Sequence, residues 1–232
     1  MTTVLIASDQ ALQRACYRML LAAQPDLTVV GEAATCAETM RRTADLHPDV
    51  VLLDIRVPPS DGVESIRRIT RPGEQPPGGP GPVPAGARPP RVLILAPTDF
   101  DEFALDAVRA GASGFLLKDA SLDELTAAIR AVGAGDAVLS PGLTRELIET
   151  LRRPRPARSL QRDGRLDLLT EREREVLTAI ASGWSTTEIA QRLSIAPTTV
   201  KTHIRSILIK IGACARVQAV VFAYETGLVR PR

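Results

Sequence analysis

Apolar and polar positions change period repeatedly over the first 140 residues. Val4–Ala7 is a short apolar run, and Gln10–Ala23 then spaces its apolar side chains along one face of a helix. Leu27–Glu32 reads as a second strand and Cys36–Leu46 as a second helix. Asp49–Leu53 is an apolar strand running into an acid, Asp54, and Val63–Ile69 is helical. Arg91–Leu95 and Gly114–Leu117 are the fourth and fifth strands, followed by helices over Phe103–Ala110 and Leu122–Gly133. Five strand–helix repeats with near-continuous apolar strands predict a doubly wound, five-stranded parallel sheet with helices on both faces. Ligands of such sheets gather beyond the carboxyl ends of the strands. Asp9, Asp54, Ala96 and Lys118 each fall just after a strand and are expected to converge there.

Two segments break the rhythm. Residues 71–90 hold eight prolines and five glycines with no apolar periodicity, which predicts a disordered, polyproline-leaning surface insertion. Residues 141–166 form a linker: Leu143–Leu151 is helix-compatible, while Arg152–Arg165 is arginine-rich, carries two prolines and is expected to be mobile. Residues 167–232 then read as four helices, an all-α unit after the α/β unit of residues 1–140. Thr170 with Glu173 forms a capping box, Gly183 ends the first helix, and Thr186–Leu193 is the short second one. Pro197 opens a third helix that stops at Gly212, and Arg216–Thr226 is the last.

The formal net charge of +2 conceals a gradient. Residues 1–151 carry −6, residues 152–166 carry +5 and residues 167–232 carry +3. An acidic front joined to a basic back suggests two units with different partners. Arginine outnumbers lysine 26 to 3, so each lysine (Lys118, Lys201, Lys210) invites a specific explanation. Three cysteines, Cys16, Cys36 and Cys214, form no CxxC pair, which argues against a disulfide scaffold or zinc ribbon and predicts small buried thiols in a reducing cytosol. No apolar run approaches membrane-spanning length and no signal peptide is recognised, so a cytoplasmic location is expected.

The short second and third C-terminal helices, joined by Ser194–Ile195–Ala196, make a helix-turn-helix. Val200, Ile204, Ile207, Leu208 and Ile211 are expected to face its core, leaving Lys201, Thr202 and Arg205 for a major groove. Lysine and arginine hydrogen-bond guanine O6 and N7, and a threonine methyl meets a thymine methyl. The hydroxyls of Thr198 and Thr199 at the helix N-terminus suit a phosphate. The segments EREVL, STTEIAQRL, TTVKTHI and RVQAV, in order and spacing, resemble the LuxR-type helix-turn-helix. That resemblance implies contact with double-stranded DNA through Thr198, Thr199, Lys201, Thr202, His203 and Arg205, and dimerisation around Val217 and Val221.

In the first unit, an aspartate at a strand end beside a second acid and a lysine suits phosphoryl transfer. Carboxylates bind a hard cation such as Mg²⁺, and one carboxylate becomes the nucleophile. The motifs VLIASDQ, DVVLLDIRVP, DG and AGASGFLLKDA resemble the receiver domain of NarL/FixJ-type response regulators. The resemblance implies Asp54 as phosphoacceptor and Lys118 as the lysine that senses the phosphoryl group. It also implies Asp9, Asp54 and the backbone carbonyl of Arg56 as Mg²⁺ ligands, with Ala96 and Phe115 at the switch positions. Two departures stand out. Ser8–Asp9 replaces the family's acidic pair, which should weaken Mg²⁺ binding. Ala96 lacks the hydroxyl that normally meets the phosphoryl group, with Thr98 two residues on.

Together the resemblances imply a two-component response regulator: a transcription factor phosphorylated on Asp54 by a histidine kinase, homodimeric on DNA, with RNA polymerase as a candidate partner. A second reading has the same architecture acting without phosphorylation, through constitutive dimerisation or ligand or protein binding. Asp54 and Lys118 favour the first; Ser8 and Ala96 favour the second. An enzymatic role, such as a phosphatase using Asp54 covalently, is not expected. No general base stands beside Asp54 in the sequence, and the only histidines are His47 and His203.

Overall fold

The computed structural model describes residues 1–54, 60–71, 89–97, 101–139 and 164–229. The expectations for Arg56, Thr98, the core of the Pro/Gly-rich insertion and the tether as far as residue 163 lie outside them. The chain divides into two compact units, Met1–Ser140 and Pro141–Arg232, each with its own apolar core.

The first unit alternates β1 (Thr2–Ala7), α1 (Ala11–Ala22), β2 (Leu27–Ala33), α2 (Cys36–Leu46), β3 (Val50–Asp54), α3 (Ser60–Thr70), β4 (Arg91–Ala96), α4 (Asp101–Ala110), β5 (Gly114–Leu117) and α5 (Leu122–Ala134). The sheet order is β2-β1-β3-β4-β5 and every pairing is parallel. The strands are apolar throughout because both faces are covered. On one face Val4, Ile6, Val50, Leu52, Leu93 and Leu95 pack with Leu21 of α1 and Leu125, Ala128, Ile129 and Val132 of α5. The alternate residues Leu5, Val51, Val92 and Ile94 are equally buried, and α3 packs with both α2 and α4. Order reverses beside β1 and β3, the crevice where such folds bind ligands.

Local chemistry sets the helix ends. Thr35 caps α2 by accepting from the Glu38 amide, and Ser121 with Glu124 forms a capping box on α5. α2 ends on His47 in a left-handed conformation before Pro48. α3 and α4 begin three and two residues earlier than apolar spacing indicates, at Ser60 and Asp101. The residues missed, Ser60–Gly62 and Asp101–Glu102, are not apolar and so carry no periodicity. The cysteine expectation is corrected: Cys16 and Cys36 are exposed and Cys214 is half-buried. Cys16 and Cys36 lie on helical positions turned away from the sheet, so their small apolar character did not decide their burial. Among the described residues no single helix is long and apolar enough to cross a membrane.

The second unit contains a 3₁₀ turn, Gly164–Leu168, then α6 (Glu171–Ala181), α7 (Thr186–Arg192), α8 (Pro197–Ile211) and α9 (Arg216–Glu225). Val176, Leu177, Ile180, Ile189, Val200, Ile204, Ile207, Ile211, Ala219 and Phe222 form its core. Leu208 packs at the margin. The turn between α7 and α8 places Ser194 at φ 53°, where a residue with a Cβ is strained, and α8 ends on left-handed Gly212.

Several arginines of this basic half are structural. Arg165 donates to the Ile211 carbonyl at 2.8 Å and lies over the Phe222 ring. Arg172 donates to the Leu193 carbonyl at 2.7 Å, and buried Arg216 to the Trp184 carbonyl at 2.5 Å. Each satisfies a carbonyl at or beyond a helix end, where no intrahelical donor remains. Arg165 is therefore anchored, which corrects its assignment to a mobile tether.

Glu173 ties this unit together. Its nearly buried carboxylate accepts from Lys210 Nζ at 2.6 Å and Ser206 Oγ at 2.5 Å, both on α8. It also accepts from the Thr170 amide and hydroxyl. Burial pushes its pKa up, but the donors Lys210, Ser206 and Thr170 together outweigh this and hold it at about 2. A carboxyl lowered on folding stabilises fully above its unfolded value and loses that contribution as pH falls through the folded one. Stability should therefore decline from about pH 4.5 towards pH 2. Glu173→Gln should cost about 2 kcal/mol at pH 7 and flatten this acid limb. Denaturant unfolding at several pH values, followed by fluorescence of the single tryptophan Trp184, measures both effects. An equally steep acid limb in the variant would contradict the assignment.

Candidate phosphoacceptor site and nucleic-acid interface

Three parallel strands deliver one cluster at their carboxyl ends. β3 ends on Asp54, β1 is followed by Ser8, and β5 is followed by Lys118. The Asp54 side chain is 1% exposed, and Lys118 Nζ forms a close ion pair with its Oδ1. Ser8 Oγ donates to Asp54 Oδ2 at 3.0 Å. Ser8 is pinned in turn: its amide donates to the Ala33 carbonyl, its carbonyl accepts from Arg14 at 2.7 Å, and its Oγ accepts from the Gln10 amide. The Lys118 amide donates to the Ala96 carbonyl at 2.9 Å, so the β4–β5 ladder continues to the residue that carries the ammonium.

Asp9 is exposed beside this cluster. Ala96 and Phe115 are both buried, and Phe115 pairs with Ile94 across the β4–β5 ladder. Tyr17 of α1 is half-buried near the site. Burial, then the Asp54 charge and then Cys16 push its hydroxyl up to about 12, so it stays a neutral donor. The part played by Ser8 is larger than its sequence position indicates, since it bonds Asp54 directly. A short hydroxyl next to a strand-end aspartate across a parallel pair was the available signal.

The donor chemistry here fits a hard divalent cation, with fewer charges than an acidic pair would supply. Asp54 Oδ1 is buried and, among the described residues, meets only the Lys118 ammonium. Asp9 adds a second carboxylate, while among the described residues no three of His, Cys, Asp and Glu gather into a metal-holding group.

On α8, Thr198, Thr199, Lys201, Thr202 and Arg205 are exposed and His203 is half-buried. The helix is held from behind by its apolar side and by Glu173, which leaves the opposite face open. Thr202 Oγ1 donates to the Thr198 carbonyl at 3.1 Å, so its hydroxyl is engaged by the helix backbone. Val217 and Val221 of α9 are 2% and 8% exposed, so neither is presented as free surface in the chain.

A receiver-type sheet with a strand-end aspartate, followed by a separate helix-turn-helix unit, defines a DNA-binding response regulator. Residues 4–130 match the family model of the response regulator receiver domain, and residues 167–223 match that of bacterial regulatory proteins of the luxR family. The chain belongs to the response-regulator family with a LuxR-type DNA-binding domain. It is 36% identical over 233 residues to the DNA-binding transcriptional activator DevR/DosR of Mycobacterium tuberculosis, covering 100% of this chain and 98% of the relative. It is 33% identical to the nitrate/nitrite response regulator protein NarL of Escherichia coli, covering 96% and 95%. A crystal structure of a LuxR-family two-component response regulator from Aurantimonas sp. SI85-9A1 is 33% identical, covering 65% of this chain and 97% of that one, with a TM-score of 0.53. The RcsB–DNA complex structure, at 20% identity and TM-score 0.52 over 96% of this chain and 98% of that one, shares the fold.

Replacing the Ser8 hydroxyl by a carboxylate adds a charged oxygen ligand where cation affinity depends on ligand charge. Ser8→Asp should tighten Mg²⁺ binding on the order of tenfold. Titration calorimetry of the full chain measures this, and an unchanged or weaker affinity would contradict the proposed shortage of ligands.

Proposed function

We propose that this chain is a phosphorylation-controlled, sequence-specific transcription regulator acting in the cytosol, with Asp54 as the residue that receives the phosphoryl group. The observation that carries the reading is the buried Asp54 carboxylate held between Ser8 and Lys118 at the carboxyl end of the central strand. A carboxylate oxygen of Asp54 attacks the phosphorus of a phosphohistidine on a partner kinase. The P–N bond breaks, the imidazole leaves with the bonding pair and takes up a proton, and an aspartyl phosphate remains. Mg²⁺, held by Asp9, Asp54 and the Arg56 carbonyl, would supply positive charge that offsets the incoming phosphoryl oxygens. Lys118 already stands against Asp54 and transfers its ion pair to the new phosphoryl group.

With alanine at position 96, no hydroxyl there follows the phosphoryl group, so the Lys118 ammonium is the group that registers its arrival. Output is DNA binding as a homodimer through α8. Lys201, Thr202 and Arg205 read bases, Thr198 and Thr199 meet phosphate, and His203 stands at the flank. Dimerisation runs through Val217 and Val221 of α9. RNA polymerase is the downstream partner.

Addition of beryllofluoride with Mg²⁺ should raise the dimer fraction measured by light scattering, and Asp54→Asn should abolish that response. No change in the wild type would favour the phosphorylation-independent reading. On DNA, Lys201→Ala and Arg205→Ala should each weaken specific binding by about 1–3 kcal/mol with little effect on random duplex. Replacing the arginines between residues 152 and 162 should lower affinity for all duplexes and flatten its salt dependence. Fluorescence anisotropy at several salt concentrations separates these outcomes.

A further inference from the structure

α8 presents one side chain that the DNA-binding residues named above leave unexplained. Ile209 is 70% exposed, on a helix whose other isoleucines at 204, 207 and 211 are buried. At 100° per residue, Val200, Ile204, Ile207 and Ile211 centre on one side of the helix, and the opposite line runs through Thr198, Thr202, Arg205 and Ile209. Ile209 therefore stands in the middle of the DNA-facing stripe, one turn beyond Arg205. Its neighbours Ser206 and Lys210 are turned towards Glu173, and Leu208 packs at the core margin.

We propose that Ile209 is a base-reading residue that packs against a thymine methyl in the major groove; this rests on the DNA-binding reading of α8. A phosphate contact needs a donor, which isoleucine lacks. The thymine C5 methyl is the apolar group that base edges display in that groove. Thr202 carries a second methyl on the same line, and its hydroxyl is engaged by the Thr198 carbonyl. The stripe then reads as methyl, guanidinium, methyl from Thr202 through Arg205 to Ile209. Four residues advance the helix by about 6 Å, close to two base-pair steps. The thymine met by Ile209 should thus lie about two base pairs from the guanine met by Arg205.

The test uses the full chain. Wild type, Ile209→Ala and Arg205→Ala each select from a random duplex pool, and affinities are then measured on the enriched site with single dT-to-dU replacements, which remove only the methyl. Wild type should lose about three- to tenfold at the thymine about two base pairs from the enriched guanine, on the side opposite the one Thr202 meets. At that thymine Ile209→Ala should bind the dT and dU duplexes equally, while keeping the guanine preference and the discrimination at any thymine met by Thr202. Arg205→Ala should keep the methyl discrimination and lose the guanine. The same dT/dU ratio in Ile209→Ala as in wild type overturns the inference, including the case where the variant binds more weakly only because self-association is impaired. If wild type enriches a site and the variant enriches it unchanged, the DNA-binding reading stands and only the role of Ile209 falls. If wild type enriches no sequence, that reading fails and the inference with it.

Discussion

A carboxylate buried at the end of the central strand has to be matched by donors and positive charge, and in the first unit this need governs what surrounds it. Asp54 is almost fully withdrawn from water, where an unpaired charge costs several kcal/mol. Parallel topology supplies the partners, because strands aligned in one direction bring their carboxyl ends together. Ser8 arrives after β1 and Lys118 after β5, and each takes one oxygen of Asp54. The same arrangement that stabilises the free carboxylate places an ammonium against one of its oxygens. With Asp9 and Asp54 against Lys118, the formal charge of the cluster is smaller than an acidic pair would make it.

The second unit solves a related problem for a different purpose. Glu173 is nearly buried beneath α8, and Lys210, Ser206 and the Thr170 cap satisfy it. The capping box is thus more than a helix start: it anchors the proposed recognition helix. Arginine does comparable work at helix ends, where its fork of donors reaches carbonyls that a helix leaves open. Much of the positive charge in this half is therefore structural, and Lys201 and Arg205 are the cations on the exposed face of α8.

Most of the architecture was legible because its physics is local. Apolar runs of strand length, helical spacing and capping pairs such as Thr170–Glu173 each announce themselves within a few residues. The convergence of Asp54 and Lys118 followed from the rule about strand ends. What escaped depended on contacts distant in sequence or on the direction a side chain takes. The Ser8–Asp54 hydrogen bond joins residues 46 positions apart, and the Glu173–Lys210 pair joins residues 37 apart. Arg165 reads as tether by composition, yet its partner is the far end of α8. Cysteine burial failed because composition gives a preference and helix facing makes the decision. Ile209, outside the predicted core positions, is exposed because its helical angle turns it away from Val200, Ile204, Ile207 and Ile211.

The account turns on Asp54 being a nucleophile as well as a matched buried charge. The most direct measurement is intact-protein mass spectrometry of the full chain after incubation with acetyl phosphate and Mg²⁺, for wild type and Asp54→Asn. The account predicts one added phosphoryl group on wild type, lost on treatment with hydroxylamine as an acyl phosphate must be, and none on the variant. Wild type that stays unmodified while remaining folded, or a variant modified to the same extent, would contradict it.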